Sequence, residues 1–231
     1  MPDRRFAVDF DPEYFANRAA DGERLTPLET FRQIHRANHW GSDASRSGPG
    51  SVEGQTEALR TALPGLFESL KVRTLLDLPC GDANWISTMP LPGIEYLGAD
   101  IVPELIARNQ AQSGPARRFA VLDLLTSPLP RMDLVLCRDC LVHFSFADIE
   151  RAMANLRRSG STWLLTTTFP EQRENADIVT GDWRPINLER APFSFPPAAY
   201  VLNERCTENN GLFADKSLAL YHLSQAARRS T

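Results

Sequence analysis

Three short apolar runs in this sequence carry or meet an acid. Leu75–Leu78 encloses Asp77, the run from Ile94 stops at Asp100, and the run from Phe119 stops at Asp123. A fourth run, Leu134–Cys137, leads straight into Arg138, Asp139, Cys140 and His143. Carboxylates accept hydrogen bonds from hydroxyl and amine donors. A histidine with an ordinary pKa of about 6.5 accepts a proton near neutrality. After Asp77 come Pro79, Gly81 and Asp82, a break on glycine that lets backbone approach a ligand closely. Asp100 follows Asp77 by 23 residues, near the roughly 20 at which a doubly wound nucleotide fold sets an acid on ribose hydroxyls. The chemistry these residues suit is the binding of a nucleoside-bearing ligand, with a proton acceptor close by.

These residues need strands that end together. Apolar runs of strand length over 73–78, 94–100, 117–122, 132–138 and 162–169 alternate with helical patterns. The spacing predicts helices over 83–89, 103–112 and 145–159, the last capped by Ser145. Such alternation gives a parallel sheet with helices on both faces. Ligands then bind beyond the carboxyl ends of the strands, where the strand order reverses. Ahead of the sheet, a short helix is expected near 12–20. Thr26-Pro27-Leu28-Glu29 reads as a capping box opening a second helix that runs to Asn38. Two further helices are expected over 52–62 and 64–70, separated at Pro64-Gly65. Residues 41–54 are rich in Gly and Ser and follow His39 and Trp40. They read either as a flexible linker or as a lid whose backbone N–H groups meet an anion. Segment 170–197 is Pro-rich, and its aromatic residues argue against disorder. Residues 200–206 and 216–223 alternate as a hairpin would.

Asp77-Leu-Pro79-Cys-Gly81-Asp-Ala83 resembles the acid-x-Gly-x-Gly-x-Gly motif of class I S-adenosylmethionine-dependent methyltransferases. Pro79 and Ala83 stand in two of the glycine positions. The strands ending at Asp100 and Asp123-Leu124, and the strand 132–138, resemble that family's next three, so the resemblance covers 75 to about 169. It implies an α/β fold, a doubly wound, mostly parallel seven-stranded sheet ending in an antiparallel C-terminal hairpin. It implies S-adenosylmethionine as cofactor, held by Asp77, Pro79, Gly81, Asp82, Asp100, Ile101, Asp123, Leu124 and Arg138. The segment after the fourth strand would face both cofactor and acceptor. There His143 is the candidate general base and Asp139 its alternative. The plain reading of His143 is a packed histidine bonded to backbone, and Arg138 either orients an acidic substrate or pairs with a carboxylate. His39 and Trp40, with Trp183, Arg184 and Asn187 of the Pro-rich segment, are the candidate acceptor contacts; stacking and hydrogen bonding of that kind suit a small molecule or a sugar. Residues 1–54 would form an N-terminal helical arm with its lid loop, and 55–231 the core.

Composition bounds the alternatives. The chain has 231 residues, enough for one domain with an appendage. A net charge of −4 gives no basic field for nucleic acid or an anionic membrane. No Asn/Asp-Pro-Pro-aromatic sequence follows the fourth strand, which argues against methylation of bases in nucleic acid. No apolar run approaches the roughly 20 residues needed to span a bilayer, and the N-terminus has no signal-like apolar core, so a cytoplasmic protein is expected. The four cysteines are read as reduced; Cys137-Arg-Asp-Cys140 alone offers only two of the four ligands of a structural zinc, and no metal is expected. The rival functions are a non-catalytic S-adenosylmethionine-binding subunit and a nicotinamide oxidoreductase, the latter disfavoured because Gly-x-Gly-x-x-Gly is missing. Oligomeric state is not encoded in any motif.

Overall fold

Five parallel strands run through the centre of a computed structural model that describes residues 10–42, 45–114 and 117–224. They are β1 (Thr74–Asp77), β2 (Glu95–Asp100), β3 (Arg117–Val121), β4 (Leu134–Cys137) and β5 (Trp163–Thr168). Two more, β6 (Tyr200–Asn203) and β7 (Ser217–His222), close the sheet in the order β3-β2-β1-β4-β5-β7-β6. β7 lies antiparallel to both β5 and β6. The chain leaves β1 for β2 on one side and reaches β4 on the other, so the order reverses at β1.

The two-residue period of a strand sorts the apolar side chains between the faces. Leu76, Val135, Leu164 and Ala219 join one buried cluster, and Leu75, Leu134, Leu136, Leu165 and Leu218 join the other. Helices cover both. Leu59, Leu63 and Phe67 of α3 (Glu53–Ser69) are buried in the second cluster. Ile149, Ala152, Met153 and Leu156 of α5 (Phe146–Arg158) are buried in the first, behind the expected Ser145 cap, whose side chain accepts from the Asp148 N–H. α4 (Pro103–Gln112) follows β2.

Ahead of the sheet lie α1 (Tyr14–Ala20) and α2 (Pro27–Ala37). The Thr26/Glu29 capping box forms, and Asn38 ends α2 in the left-handed region, φ 49°.

Two expectations fail locally. α3 is one helix with Pro64 inside it, not two. An interior proline costs about 3 kcal/mol, but full burial of Leu59, Leu63 and Phe67 returns about 1.5–3 kcal/mol each. Packing therefore overrides the break. The helix expected over 83–89 is absent. A turn runs through Ala83 at φ 52°, and only Ile86–Thr88 makes a single 3₁₀ turn. All four cysteines are free and buried.

Segment 170–197 has almost no regular structure, yet Ile186, Leu188, Phe193 and Phe195 are buried in the first core cluster. Among the described residues no helix is long and apolar enough to cross a membrane.

Candidate active site

The carboxyl ends of β1, β2 and β4 open into a cavity with about 1010 Å³ of atom-free space, its mouth included. Asp77, Pro79, Gly81, Asp82, Asp100, Ile101, Asp123, Leu124, Arg138, Asp139 and His143 all line it. The turn after β1 is tied to the end of β2. The Gly81 N–H donates to Asp100 Oδ2 at 3.1 Å, the Val102 N–H to Oδ1 at 2.9 Å, and the Asn109 amide holds the Gly81 carbonyl at 2.8 Å. Gly81 has φ 53°, and a Cβ there would run into Ser47 Oγ. Glycine is required both by conformation and by the approach of the serine loop.

Burial shapes both acids at the floor. It pushes Asp100 up to about 6, against the N–H bonds it accepts. It pushes Asp77 up to about 7, opposed by the Tyr96 hydroxyl, which donates to Asp77 at 2.8 Å. Asp123 accepts from the Leu125 N–H and the Thr126 hydroxyl, so it also shapes its own turn.

Asp82 has a second task. Its carboxylate accepts from Ser45 Oγ at 2.9 Å, the Arg46 N–H at 2.9 Å and Ser47 Oγ at 3.2 Å, and its own N–H donates to Ser47 Oγ at 3.0 Å. The Gly/Ser-rich loop is thereby fastened over the turn after β1. Of the expected lid, residues 43–44 lie outside the described residues.

Arg138, buried, donates to Glu204 at 2.6 Å and to the Gly50 carbonyl at 2.8 Å, and lies 3.2 Å from Asp139. Of its two readings, pairing with a carboxylate is the one realised. Asp139, at φ 49°, also accepts from Lys216 Nζ at 2.8 Å. Burial pushes Asp139 up, but Arg138 and Lys216 outweigh it and hold the carboxyl well below its usual range. His143 sits in a 3₁₀ turn, Leu141–His143. Its Nδ1 lies 2.9 Å from the Asp182 carbonyl. A carbonyl only accepts, so Nδ1 carries the proton and Nε2 is left as the basic nitrogen. Burial lowers the ring to about 4, despite that bond and the nearby Asp139.

Asp139 and His143, with Trp40 and Ser47, also line a second cavity, with about 1000 Å³ of atom-free space, its mouth included. His39 and Trp183 line this one, as does Lys216. Arg184 and Asn187 line neither cavity. Arg184 is fully buried and donates to the carbonyls of Leu141 at 2.6 Å, Phe144 at 2.7 Å and Ala176 at 3.1 Å. Burial lowers its pKa to about 9. Asn187 bonds the carbonyls of Pro170 and Gln172 and, through its own N–H and carbonyl, Asn175. Both tie the backbone of the segment that supports His143.

Several lining residues were not singled out by sequence. Phe31, Ile34 and His35 of α2 wall the first cavity, and Trp85 lies under Arg138 at 5.6 Å. Glu204 meets Arg138 from 66 residues away, and Lys216 meets Asp139 from 77. No local spacing marks a pairing of that range. The stripe Leu28, Phe31 and Ile34 was the one available signal for the α2 wall.

A parallel sheet with one antiparallel strand inserted beside its edge, and a cavity over the reversal at β1, is the class I methyltransferase fold. A family model described as a methyltransferase domain matches residues 76–159, and over that stretch the chain is similar to the class I S-adenosylmethionine-dependent methyltransferase superfamily. No curated protein matches the sequence. Among solved structures it is similar to the PH0226 protein of Pyrococcus horikoshii, at 17% identity over 75% of this chain and 93% of that one, TM-score 0.53. It is also similar to the methyltransferase domain of bacterial CtHen1-C, at 10% identity over 73% and 98%, TM-score 0.53. The similarity to human N-acetylserotonin methyltransferase in complex with S-adenosylmethionine is 16% over 90% and 65%, TM-score 0.53. At these identities the likeness is one of fold.

The donor set of the first cavity fits the cofactor of that superfamily, S-adenosylmethionine. Asp100 offers an acceptor to ribose hydroxyls and Asp123 to an adenine amine. The acids and the faces of Trp40 and Trp85 suit a cationic sulfur. His35 adds a buried Nδ1 with no partner in the protein.

Proposed function

We propose that this protein methylates a hydroxyl of a small molecule or sugar, with the cofactor in the first cavity, the acceptor in the second and His143 as general base. The observation that carries the reading is the shared wall: His143 and Asp139 line both cavities. When bound, the cofactor would supply a methyl carbon on a positive sulfur that leaves as a neutral thioether. The protein's part is alignment and proton removal. Asp100 would hold the ribose and Asp123 the adenine, and the turn at Pro79–Asp82 would meet the methionine part. His143 receives the acceptor's proton at Nε2, with Nδ1 fixed on the Asp182 carbonyl. The imidazolium so formed is stabilised by Asp139, which Arg138 and Lys216 keep ionised.

Residues 1–54 act in this reading as an arm and lid on the 55–231 core. α2 walls the cofactor cavity, and the serine loop closes it through Asp82. Trp40 and Trp183 contact the acceptor.

The test is His143→Ala. Turnover should fall by roughly 100- to 10,000-fold with cofactor affinity nearly constant. Wild-type activity should fall as pH drops through about 4, where the ring becomes protonated. A normal turnover number in the variant, whatever its melting temperature, refutes the base.

A further inference from the structure

The second cavity has aromatic walls. Phe169, Trp183 and Phe213 meet edge to face, with centroids 5.1 to 6.1 Å apart, and Trp40 stacks on His143 at 4.8 Å. Its lysine is already paired. Lys216 lies 2.8 Å from Asp139 and 3.8 Å from Glu204, and Glu208 accepts from the Cys206 thiol. A carboxylate on the acceptor would find no uncommitted cation among the described lining residues. Ser47, Asp139 and Lys216 are already hydrogen-bonded within the protein, so a polyol would set part of its hydroxyls against ring faces, where bonds to water are not replaced. Among the described lining residues, Nε2 of His143 is left without a hydrogen-bond partner once Nδ1 is bonded, and the indole N–H of Trp40 is buried without one.

We propose that the second cavity takes a neutral, planar aromatic acceptor bearing a hydroxyl, a phenol or its fused-ring relative. The ring lies against the aromatic walls, where offset or edge-to-face contacts are favourable. The hydroxyl meets His143, and a second oxygen on the ring accepts from Trp40. In the reaction the phenol oxygen gains the methyl carbon, the carbon–sulfur bond breaks to leave a thioether, and the phenol proton passes to Nε2. A phenol suits this site for a second reason. A base weakened by burial deprotonates an acidic hydroxyl near pKa 10 more readily than a far less acidic aliphatic one. The inference rests on the methyl-transfer reading and narrows its acceptor.

The test uses ligand-observed NMR on the full chain, with and without S-adenosylhomocysteine. The probes are 2-naphthol, 2-naphthoate and methyl glucoside. 2-Naphthol should bind at least tenfold more tightly than either of the others. Trp40→Phe, which keeps a ring and removes the N–H, should weaken a naphthalenediol about fivefold more than it weakens 2-naphthol. Equal binding of naphthol and glucoside, with S-adenosylhomocysteine bound normally, overturns the aromatic acceptor and leaves methyl transfer standing. Naphthol preference in a protein that does not bind S-adenosylhomocysteine overturns methyl transfer and leaves the aromatic site. A naphthalenediol weakened no more than 2-naphthol in Trp40→Phe removes the indole donor from the proposal.

Discussion

Asp77→Asn should make the stability of this protein less sensitive to alkali. The wild-type carboxyl is buried at the end of β1 and bonded to the Tyr96 hydroxyl. Burial moves its pKa from the usual 3.8 to about 7. The folded state therefore holds a proton that the unfolded chain releases, and stability is lost as pH rises from near 4 to 7. At about 1.4 kcal/mol per pK unit, the carboxyl costs about 2 kcal/mol at pH 5 and about 4 kcal/mol at pH 8, where its ionised form sits in the core. Asparagine has nearly the same shape, still accepts from Tyr96 and cannot ionise. Other titrating groups are common to both proteins and largely cancel in the comparison. Relative to wild type, the variant should therefore gain roughly 2 to 3 kcal/mol between pH 5 and pH 8. Urea unfolding followed by tryptophan fluorescence at the two pH values measures the gap. A gap that stays constant, or one that widens towards pH 5, would refute the argument that burial sets this acid's pKa.

Asp100→Ala should weaken S-adenosylmethionine binding at least tenfold by calorimetry, since it removes the acceptor assigned to the ribose together with the bonds that hold the Gly81 turn; unchanged affinity would take Asp100 out of the site. Asp82→Ala should free the serine loop, seen as faster amide exchange over residues 45–52, with cofactor affinity reduced; exchange as slow as in wild type would mean the loop is held by something else. Arg184→Met should destabilise the fold by about 3–5 kcal/mol, because three carbonyls around the His143 turn lose their donor. A variant as stable as wild type but with a raised KM would return Arg184 to the acceptor contacts.

The parts of this molecule legible in its sequence are those fixed by short-range pattern. The capping box at Thr26, the Ser145 cap, and the apolar runs of β1, β2 and β4 all declare themselves within a few residues. So did the acids that end the strands, because the fold brings strand ends together at one edge. Residues 83–89 read as a helix because glycine after a strand often opens one. What competes is Asp82, whose carboxylate is drawn to Ser45 and Ser47 and holds the turn in place. Arg184 and Asn187 read as acceptor contacts from their side chains alone. In a long segment without regular structure, backbone carbonyls need donors, and these two residues supply them. Nothing local distinguishes a donor for the protein from a donor for a ligand.

The ion cluster around Arg138 has a consequence for the newborn chain. A ribosome makes β1, β2 and β4 well before residues 204 and 216, and domains fold as synthesis proceeds. Arg138 is then laid into the interior with Asp139 beside it but without Glu204, and Asp139 waits for Lys216. A buried charge missing its partner costs about 3–5 kcal/mol, a large part of a typical domain's margin. The nascent sheet should therefore stay open at its cofactor edge until β6 and β7 add. Translation that stops short of residue 204 would release a chain that cannot close, exposed to chaperones and proteases.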